Sequence, residues 1–279
     1  MLKSAILAVL FACATALPAA DPWGDHVKAA VKAQQKGDAK SAERSLLKAL
    51  LAAEAFGEND PRAAYTLDYL GTLYQQRGDS SEALAVFERA RQGFAKALGP
   101  ESPEALESAQ RLADAYAAAD QWAKAEPLYR ARLERERKRQ PAAPLDLASA
   151  CTDLGLALDS QRQWDSALKL YQEAEALRRE ALGPEAVELA ESLNNQGRVH
   201  LLRGDLKKAE KLIRQALAID EKALGEAHPS VSDDLRRLAA VLAKAGKAVE
   251  SAQLSERADK LDQDRQPTPK PQRLKPGKD

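Results

Sequence analysis

The sequence lacks the residue clusters from which most catalytic and metal-binding sites are built. It contains only two cysteines, and its three histidines, His26, His200 and His228, stand far apart. They form no His-x-x-x-His pair and no His/Cys cluster, so no metal site is expected. A Gly-x-Ser-x-Gly elbow, a Walker loop and a Gly-x-Gly-x-x-Gly motif are also absent from the sequence. We therefore expect no bound cofactor and no enzyme activity.

An excess of charge of one sign is missing as well. Lysine and arginine together number 42, and so do aspartate and glutamate, so the formal net charge is zero. Nucleic-acid-binding proteins usually carry a basic excess, and nucleic acid is therefore not an expected partner. Beyond the N-terminus no apolar run approaches the roughly 20 residues of a transmembrane helix, so no membrane span is expected.

Residues 1–20 have the composition of a secretory signal peptide. Lys3 provides a basic start, an apolar stretch runs to Leu17, and Ala19 and Ala20 place small residues at its exit. This order of segments is typical of exported proteins. We expect cleavage near Ala20 and a bacterial protein located in the periplasm or outside the cell.

Lipid attachment is the alternative fate of the N-terminus. Leu10-Phe11-Ala12-Cys13 resembles the motif at which bacterial lipoproteins are cleaved and lipidated on the cysteine. Phe11 is bulky where that motif usually has a small or branched residue, so cleavage near Ala20 is favoured. That cleavage leaves Cys151 as the only cysteine, and no internal disulfide is expected.

What the sequence does contain is a repeat of 42 residues. Three columns of residues keep this period, one of small residues, one of alanine and one of bulky apolar residues. Self-similarity at a fixed period of 20 to 50 residues predicts a solenoid, in which each unit buries its apolar face against its neighbours. The columns are Gly71, Ala113, Gly155, Gly197 and Ala239; Ala83, Ala125, Ala167, Ala209 and Ser251; and Phe87, Tyr129, Tyr171, Ile213 and Ser255.

Each unit has the pattern of two helices. In the clearest unit, Asp60-Pro61 provides a helix start, and apolar residues spaced by three, four and seven follow on one face. Gly78-Asp79 breaks the chain before a second helix, which Gly99-Pro100 ends. The helix start recurs as Ser102-Pro103 and His228-Pro229, where the His228 side chain is expected to cap the helix.

These motifs resemble the tetratricopeptide repeat. The usual repeat has about 34 residues, and the longer unit, with connectors at 97–101, 181–185 and 223–229, is similar to the kinesin-light-chain subclass. The resemblance implies an all-α fold, an α-α superhelix of about six helix pairs. We expect a signal peptide at 1–20, a solenoid at 21–262 and a disordered Pro/Lys-rich tail at 263–279. The six expected units are about 23–57, 61–99, 103–141, 145–183, 187–225 and 229–262.

The resemblance also implies where a partner binds. In proteins of this type the first helices line a concave groove, and their outward polar side chains hold an extended peptide or a helix. Asn194 and Asn195 match a pair that the family uses to hydrogen-bond a peptide backbone. By register, the implied groove residues are Asp68, Tyr69, Thr72, Gln75, Gln110, Arg111, Asp114, Thr152, Asp153, Asp159, Asn194, Asn195, Arg198, Arg236, Arg237 and Lys244.

Replacing Asn194, Asn195 and Arg198 together is expected to weaken partner binding with little effect on folding, because surface substitutions usually change stability little. Acidic pairs such as Asp233/Asp234 are interpreted as ordinary helix surface, and Cys151 as a small buried apolar residue. The Arg-rich run at 130–139 is either a solvated helix end or a docking patch for an acidic partner.

The sequence therefore predicts a non-enzymatic exported scaffold that binds a protein or peptide segment in its groove. The alternative is an envelope lipoprotein, anchored through Cys13, that acts as a structural or pilot subunit of an assembly. The identity of the partner does not follow from either interpretation.

Overall fold

The computed structural model describes residues 21–265, and every regular element in that range is a helix. The range contains twelve helices, which confirms the predicted all-α fold. The predictions for residues 1–20 and for most of the C-terminal tail lie outside the described residues. The helices are α1 (Pro22–Gln35), α2 (Ala39–Glu54), α3 (Arg62–Arg77), α4 (Ser80–Leu98), α5 (Pro103–Ala118), α6 (Trp122–Lys138), α7 (Pro144–Ser160), α8 (Trp164–Leu182), α9 (Glu188–Leu202), α10 (Leu206–Leu224), α11 (Pro229–Lys244) and α12 (Ala248–Arg265).

The helices pack in sequence order as pairs. The chain divides into two compact units, with the boundary between residues 132 and 133. In the first unit α1 packs on α2 and α3 on α4, and α2 and α4 each contact the helix that follows. In the second unit the pairs are α7 with α8, α9 with α10 and α11 with α12, again with each pair packed on the next. Each helix pair thus buries its apolar face against its neighbours, as expected for a repeat fold.

The small-residue column exists because the two helices of a pair approach closely there. A Cβ atom added to Gly71 would lie 2.5 Å from Cε1 of Phe87, so a larger residue would displace the ring. The same relation recurs two and three periods later, between Gly155 and Tyr171 and between Gly197 and Ile213. The small column and the bulky column of the sequence are therefore the two sides of one repeated contact.

The predicted helix boundaries are set by local side-chain and backbone contacts. Ser102 accepts a hydrogen bond from the amide of Ala105 at 3.3 Å, and His228 Nδ1 accepts one from the amide of Ser230 at 3.2 Å. The expected cap at His228 is therefore present. Gly78 ends α3 with a φ of 85°, a left-handed conformation that favours glycine. Oδ1 of Asp60 accepts a hydrogen bond from the amide of Arg62 at 2.9 Å, and α3 begins at Arg62.

The first and last helices have features that the repeat pattern did not predict. The first helix is mostly polar in sequence, yet Trp23 is fully buried and donates its Nε1 hydrogen to Thr66 Oγ1 at 2.9 Å. The last helix continues to Arg265, three residues past the expected end of the solenoid at 262. Among residues 21–265, no helix has both the length and the apolar character needed to cross a bilayer.

Candidate functional site

In the first unit, the predicted groove residues of α3 and α5 are bonded to each other. Arg111 Nη1 lies 2.5 Å from Oδ2 of Asp68, and this pair links two first helices one repeat apart. Only 15% of the Arg111 side chain and 6% of the Asp68 side chain are exposed. Burial raises the pKa of Asp68, while the Arg111 guanidinium opposes that rise. This part of the inner surface is therefore closed by an internal ion pair.

The other predicted residues of the first unit also have internal partners. Tyr69 is buried and donates its hydroxyl hydrogen to Gln34. Asp114 accepts hydrogen bonds from Gln110 Nε2 and from the hydroxyl of Tyr129, both at 2.9 Å. Thr72 donates its hydroxyl hydrogen to the carbonyl of Asp68 at 3.1 Å, and Gln75 is exposed. Tyr69 and Asp114 thus bond neighbouring helices, whereas Thr72 and Gln110 bond within their own helices.

In the second unit, α7 and α9 are joined in the same way. Arg198 Nη2 lies 2.5 Å from Oδ2 of Asp159, whose side chain is fully buried. Thr152 is buried and bonds back to the carbonyl of Ala148 at 3.0 Å, whereas Asp153 is half-buried. Because Arg198 compensates a buried carboxylate, we now expect its replacement to affect folding more than a surface substitution would. Removing its charge would leave Asp159 unpaired.

A cleft of about 320 Å³ opens between α9 and α11, and we call it the α9–α11 cleft. Asn194 and Asn195 of α9 line it, together with Arg237 of α11. The structure therefore brings Asn194, Asn195, Arg198 and Arg237 of the predicted groove together at one opening. The complete lining is Val187, Ala190, Glu191, Asn194, Asn195, Arg198, Asp220, Ser230, Asp233, Asp234 and Arg237.

Two buried carboxylates form the acidic part of the α9–α11 cleft. Asp234 is fully buried, accepts a hydrogen bond from Asn194 Nδ2 at 2.6 Å and is paired with Arg237 at 2.9 Å. Asp220, at the end of α10, is 4% exposed. Burial raises the pKa of Asp234 to about 6, and the Asp220 charge adds to the rise against the opposing effects of Asn194 and Arg237. Burial likewise raises the pKa of Asp220.

Sequence reasoning assigned Asp233/Asp234 to ordinary helix surface, and for Asp234 this was wrong. Asp234 occupies a further column of the 42-residue period, in which the earlier members are Thr66, Ser108, Ala150 and Ser192. All five residues are 0% or nearly 0% exposed. The period itself, extended to this column, would have identified Asp234 as a buried carboxylate.

The remaining predicted residues lie away from the α9–α11 cleft. Arg236 contacts Asp259 at 3.0 Å and also Asp262, so it binds α12 and does not line the cleft. Lys244 is exposed at the end of α11. Cations in the Arg-rich run have acidic partners: Arg130 pairs with Glu126 at 2.6 Å, and Arg137 and Arg139 are also paired. These pairs favour the interpretation of that run as a solvated helix end over a docking patch.

Candidate chemistry elsewhere in the described range is sparse. Cys151 is fully buried, and burial, with a lesser effect of Glu173, raises the pKa of its thiol to about 12. A thiol with a raised pKa is a poor nucleophile, consistent with a packing role. Residues 21–265 contain no group of three or more His, Cys, Asp or Glu side chains arranged to hold a metal ion.

A family model described as the tetratricopeptide repeat matches residues 25–96, 82–138 and 146–222. Solved structures include a putative kinesin light chain from Podosopora anserina with nearly identical TPR-like repeats, 25% identical, with a TM-score of 0.62 over 73% of this chain and 96% of that one. BtubC (BKLC) from P. vanneervenii is 21% identical, with a TM-score of 0.64 over 83% of this chain and 94% of that one.

The Rap conjugation gene regulator of plasmid pLS20, solved in complex with the Phr* peptide, has the same fold at 16% identity. Its TM-score is 0.59 over 81% of this chain and 64% of that one. No curated protein matches the chain. The predicted repeat family is confirmed, and the kinesin-light-chain-like subclass is compatible with these neighbours.

Proposed function

The chain belongs to the tetratricopeptide repeat family, and we propose that it is a non-enzymatic scaffold that binds a segment of a partner protein in the α9–α11 cleft. This fold is typical of protein–protein interaction scaffolds. One protein of the same fold is in complex with a peptide, the Phr* peptide, which supports a polypeptide ligand. The two asparagines and the flanking charges provide donors and acceptors for a polypeptide backbone.

The observation that carries this proposal is Asn195. It lines the cleft, is half-buried, and makes no hydrogen bond to the described residues, whereas the neighbouring Asn194 is already bonded to Asp234. An amide with unused donors and an unused acceptor at the mouth of a cleft is suited to pair with a peptide group. Asn194 instead fixes the wall of the cleft, because it compensates the buried Asp234.

The test obstructs the cleft without touching the buried charges. Asn195→Trp places a bulky ring at the opening, and Gln215→Trp on α10, at an exposed position outside the cleft, is the matched control. A polypeptide that the wild type and the control capture, identified by mass spectrometry, should be lost with Asn195→Trp at an unchanged melting temperature. Peptides of about 15 residues from that polypeptide should then reproduce the loss. Equal capture by both variants would place the partner elsewhere.

We further propose that the protein is exported. Residues 1–20 lie outside the described residues, and their basic start, apolar stretch and small-residue exit support a signal peptide. Intact-mass measurement of the native protein should give an N-terminus at Asp21. A diacylated Cys13 at the N-terminus would instead establish the alternative, a membrane-anchored lipoprotein subunit of an assembly.

A further inference from the structure

The α9–α11 cleft carries more negative charge than its own residues neutralise. The carboxylates of Asp220, Asp233 and Asp234 line it, and Arg237 is the cation that faces them from α11. The other lining charges are already paired outside this group, Arg198 with Asp159 and Glu191 with Arg178. His228, in the connector before α11, also acts on Asp220 through its charge when protonated. The lining therefore keeps an acidic excess of about two charges.

Two of these carboxylate oxygens are buried without a partner. Oδ1 of Asp220 and Oδ2 of Asp234 are shielded from solvent, and neither accepts a hydrogen bond from any described residue. Both side chains are more than nine-tenths buried and line the cleft. Buried carboxylates without donors are costly, and a bound donor would remove that cost. Ammonium and guanidinium groups are the donors that match them.

The last described helix, α12, packs on α11, the helix that forms one wall of the cleft. Ser232 of α11 donates its hydroxyl hydrogen to the carbonyl of Ala258 at 3.5 Å, and Arg236 bonds Asp259 and Asp262. The C-terminal turns of α12 therefore lie against the same stretch of α11 that presents Asp233 and Arg237 to the cleft. Asp259 lies six residues before Arg265, where α12 ends.

The segment that follows has the charge and the length to enter the cleft. Residues 266–279 lie outside the described residues and contain Lys270, Arg273, Lys275 and Lys278, with Asp279 as the single acidic residue. Fourteen residues reach up to about 46 Å when extended, which is far more than the width of two helices. Residues 266–279 therefore carry four cations on a segment long enough to span that distance.

We propose that the α9–α11 cleft is a binding site for lysine and arginine side chains and that residues 266–279 of the same chain occupy it. The segment then competes with any partner that uses the same opening. The raised pKa of Asp234 agrees with a site that gains from a bound cation. This inference needs no partner protein, so it can hold or fail independently of the proposed function.

The ligand is a fluorescein-labelled peptide of residues 266–279. The receptor is the full chain with all four basic residues of that segment changed to glutamine, so that its own segment does not compete with the peptide. The peptide should bind this chain at 50 mM salt, and Asp220→Asn/Asp234→Asn should weaken binding at least tenfold. Asp25→Asn/Glu180→Gln, which changes two exposed acidic residues outside the cleft, should leave binding unchanged. A peptide with its four basic residues replaced by glutamine should not bind.

A second variant tests the cleft without changing the buried Asp220 and Asp234, whose replacement could affect folding. Asp233 is exposed at the rim, so Asp233→Lys reverses a charge of the cleft without disturbing the core, and it should also weaken peptide binding at least tenfold. Equal affinity of the cleft variants and the control, or no peptide binding at all, would overturn the proposal.

Occupancy within one molecule is tested in the wild-type chain by zero-length carbodiimide cross-linking. Cross-links from Lys270, Lys275 or Lys278 to Asp233 are expected, and in a mixture of isotopically labelled and unlabelled protein they should join residues of the same isotopic label. Cross-links confined to other carboxylates would overturn the proposal. Mixed-label cross-links would also overturn it, because a second copy would then be the occupant.

Discussion

Two equivalent buried positions in the second unit, one repeat apart, carry side chains of opposite charge. Arg178 and Ser192 occupy it between α8 and α9, and the equivalent residues 42 positions later are Asp220 and Asp234. Arg178 is 7% exposed, donates to Ser192 Oγ at 2.6 Å and pairs with Glu191 at 2.8 Å. Asp220 and Asp234 are buried as deeply, but each keeps one oxygen without a donor.

The difference shows that one position of the repeat is closed by internal bonds in one unit and keeps unpaired carboxylate oxygens in the next. Arg178 and Ser192 bond each other, so at their position these two side chains partner each other. Where two carboxylates meet, their burial is only partly compensated, by Asn194 and Arg237, and the α9–α11 cleft lies beside them. The two positions are one repeat apart and differ in charge, with Arg178 and Ser192 at one and Asp220 and Asp234 at the other.

The largest expected effect is on the pH dependence of stability. Burial raises the pKa of Asp234 to about 6 from its ordinary value of 3.8, so the stability that Asp234 contributes is fully present below about pH 4 and lost as pH rises through 6. The loss is on the order of 3 kcal/mol, since each pH unit between the two pKa values is worth about 1.4 kcal/mol. Urea unfolding across this range measures the loss in two chains whose four basic residues at 266–279 are glutamine, one with Asp234 and one with Asp234→Asn.

Wild type is compared with these chains, because a cation bound from residues 266–279 would lower the pKa of Asp234 and so reduce the loss. Asp220, whose pKa is also raised, contributes in the same direction, so Asp234→Asn should reduce the slope and Asp220→Asn/Asp234→Asn should reduce it further. Identical pH profiles of the chains with Asp234, with Asp234→Asn and with both substitutions would contradict the prediction that Asp220 and Asp234 cause the pH dependence of stability.

Arg178→Ala tests the position at which Arg178 and Ser192 bond each other. This change removes the guanidinium that bonds the buried Ser192 hydroxyl, and the packing of its aliphatic stem is lost with it. We expect a loss of about 2 kcal/mol in the free energy of unfolding, because a hydrogen bond to a charged group is typically worth that much. Arg179→Ala, at an exposed neighbour, is the control. A loss below about 0.5 kcal/mol would mean that Arg178 is not a structural cation.

Asp220→Asn tests the position that Asp220 and Asp234 share, and it should raise the stability of the fold. The change removes a buried charge that repels Asp234, so at pH 7.5 the protein should gain about 1 kcal/mol of stability. Few substitutions of a buried polar residue stabilise a protein, which makes the direction of the effect informative. Chemical denaturation at pH 7.5 and at pH 4 decides it, since the gain should shrink at the lower pH. A loss of stability at pH 7.5 would contradict the prediction.

The smallest effects separate the two asparagines of the cleft. Asn195→Ala should change stability by less than about 0.5 kcal/mol, because its side chain bonds no described residue. Asn194→Ala should cost about 1–2 kcal/mol, since it removes a donor from the buried Asp234. Thermal melts of the two single variants provide the comparison. Equal effects would show that Asn194 is not required by the buried carboxylate.

Much of the fold was predictable because the repeat is visible in the sequence. The columns at Gly71 and Phe87 predicted a contact that the structure contains, and Ser102 and His228 lie at helix starts as expected. The site was predicted less well. Asn194, Asn195, Arg198 and Arg237 were assigned to a groove, but the register gave no information on which side chains would be used by neighbouring helices.

By itself the sequence determined the helical units, their period and the positions that must be small, since those follow from the 3.6-residue periodicity and from the volume available at a repeated helix contact. Only the tertiary structure decided which polar residues remain unpaired. Asp68 meets Arg111 across a distance of 43 residues, and Asp159 meets Arg198 across 39. Asp220 meets no such partner, because pairing between repeats depends on which side chains two helices bring within a few ångströms.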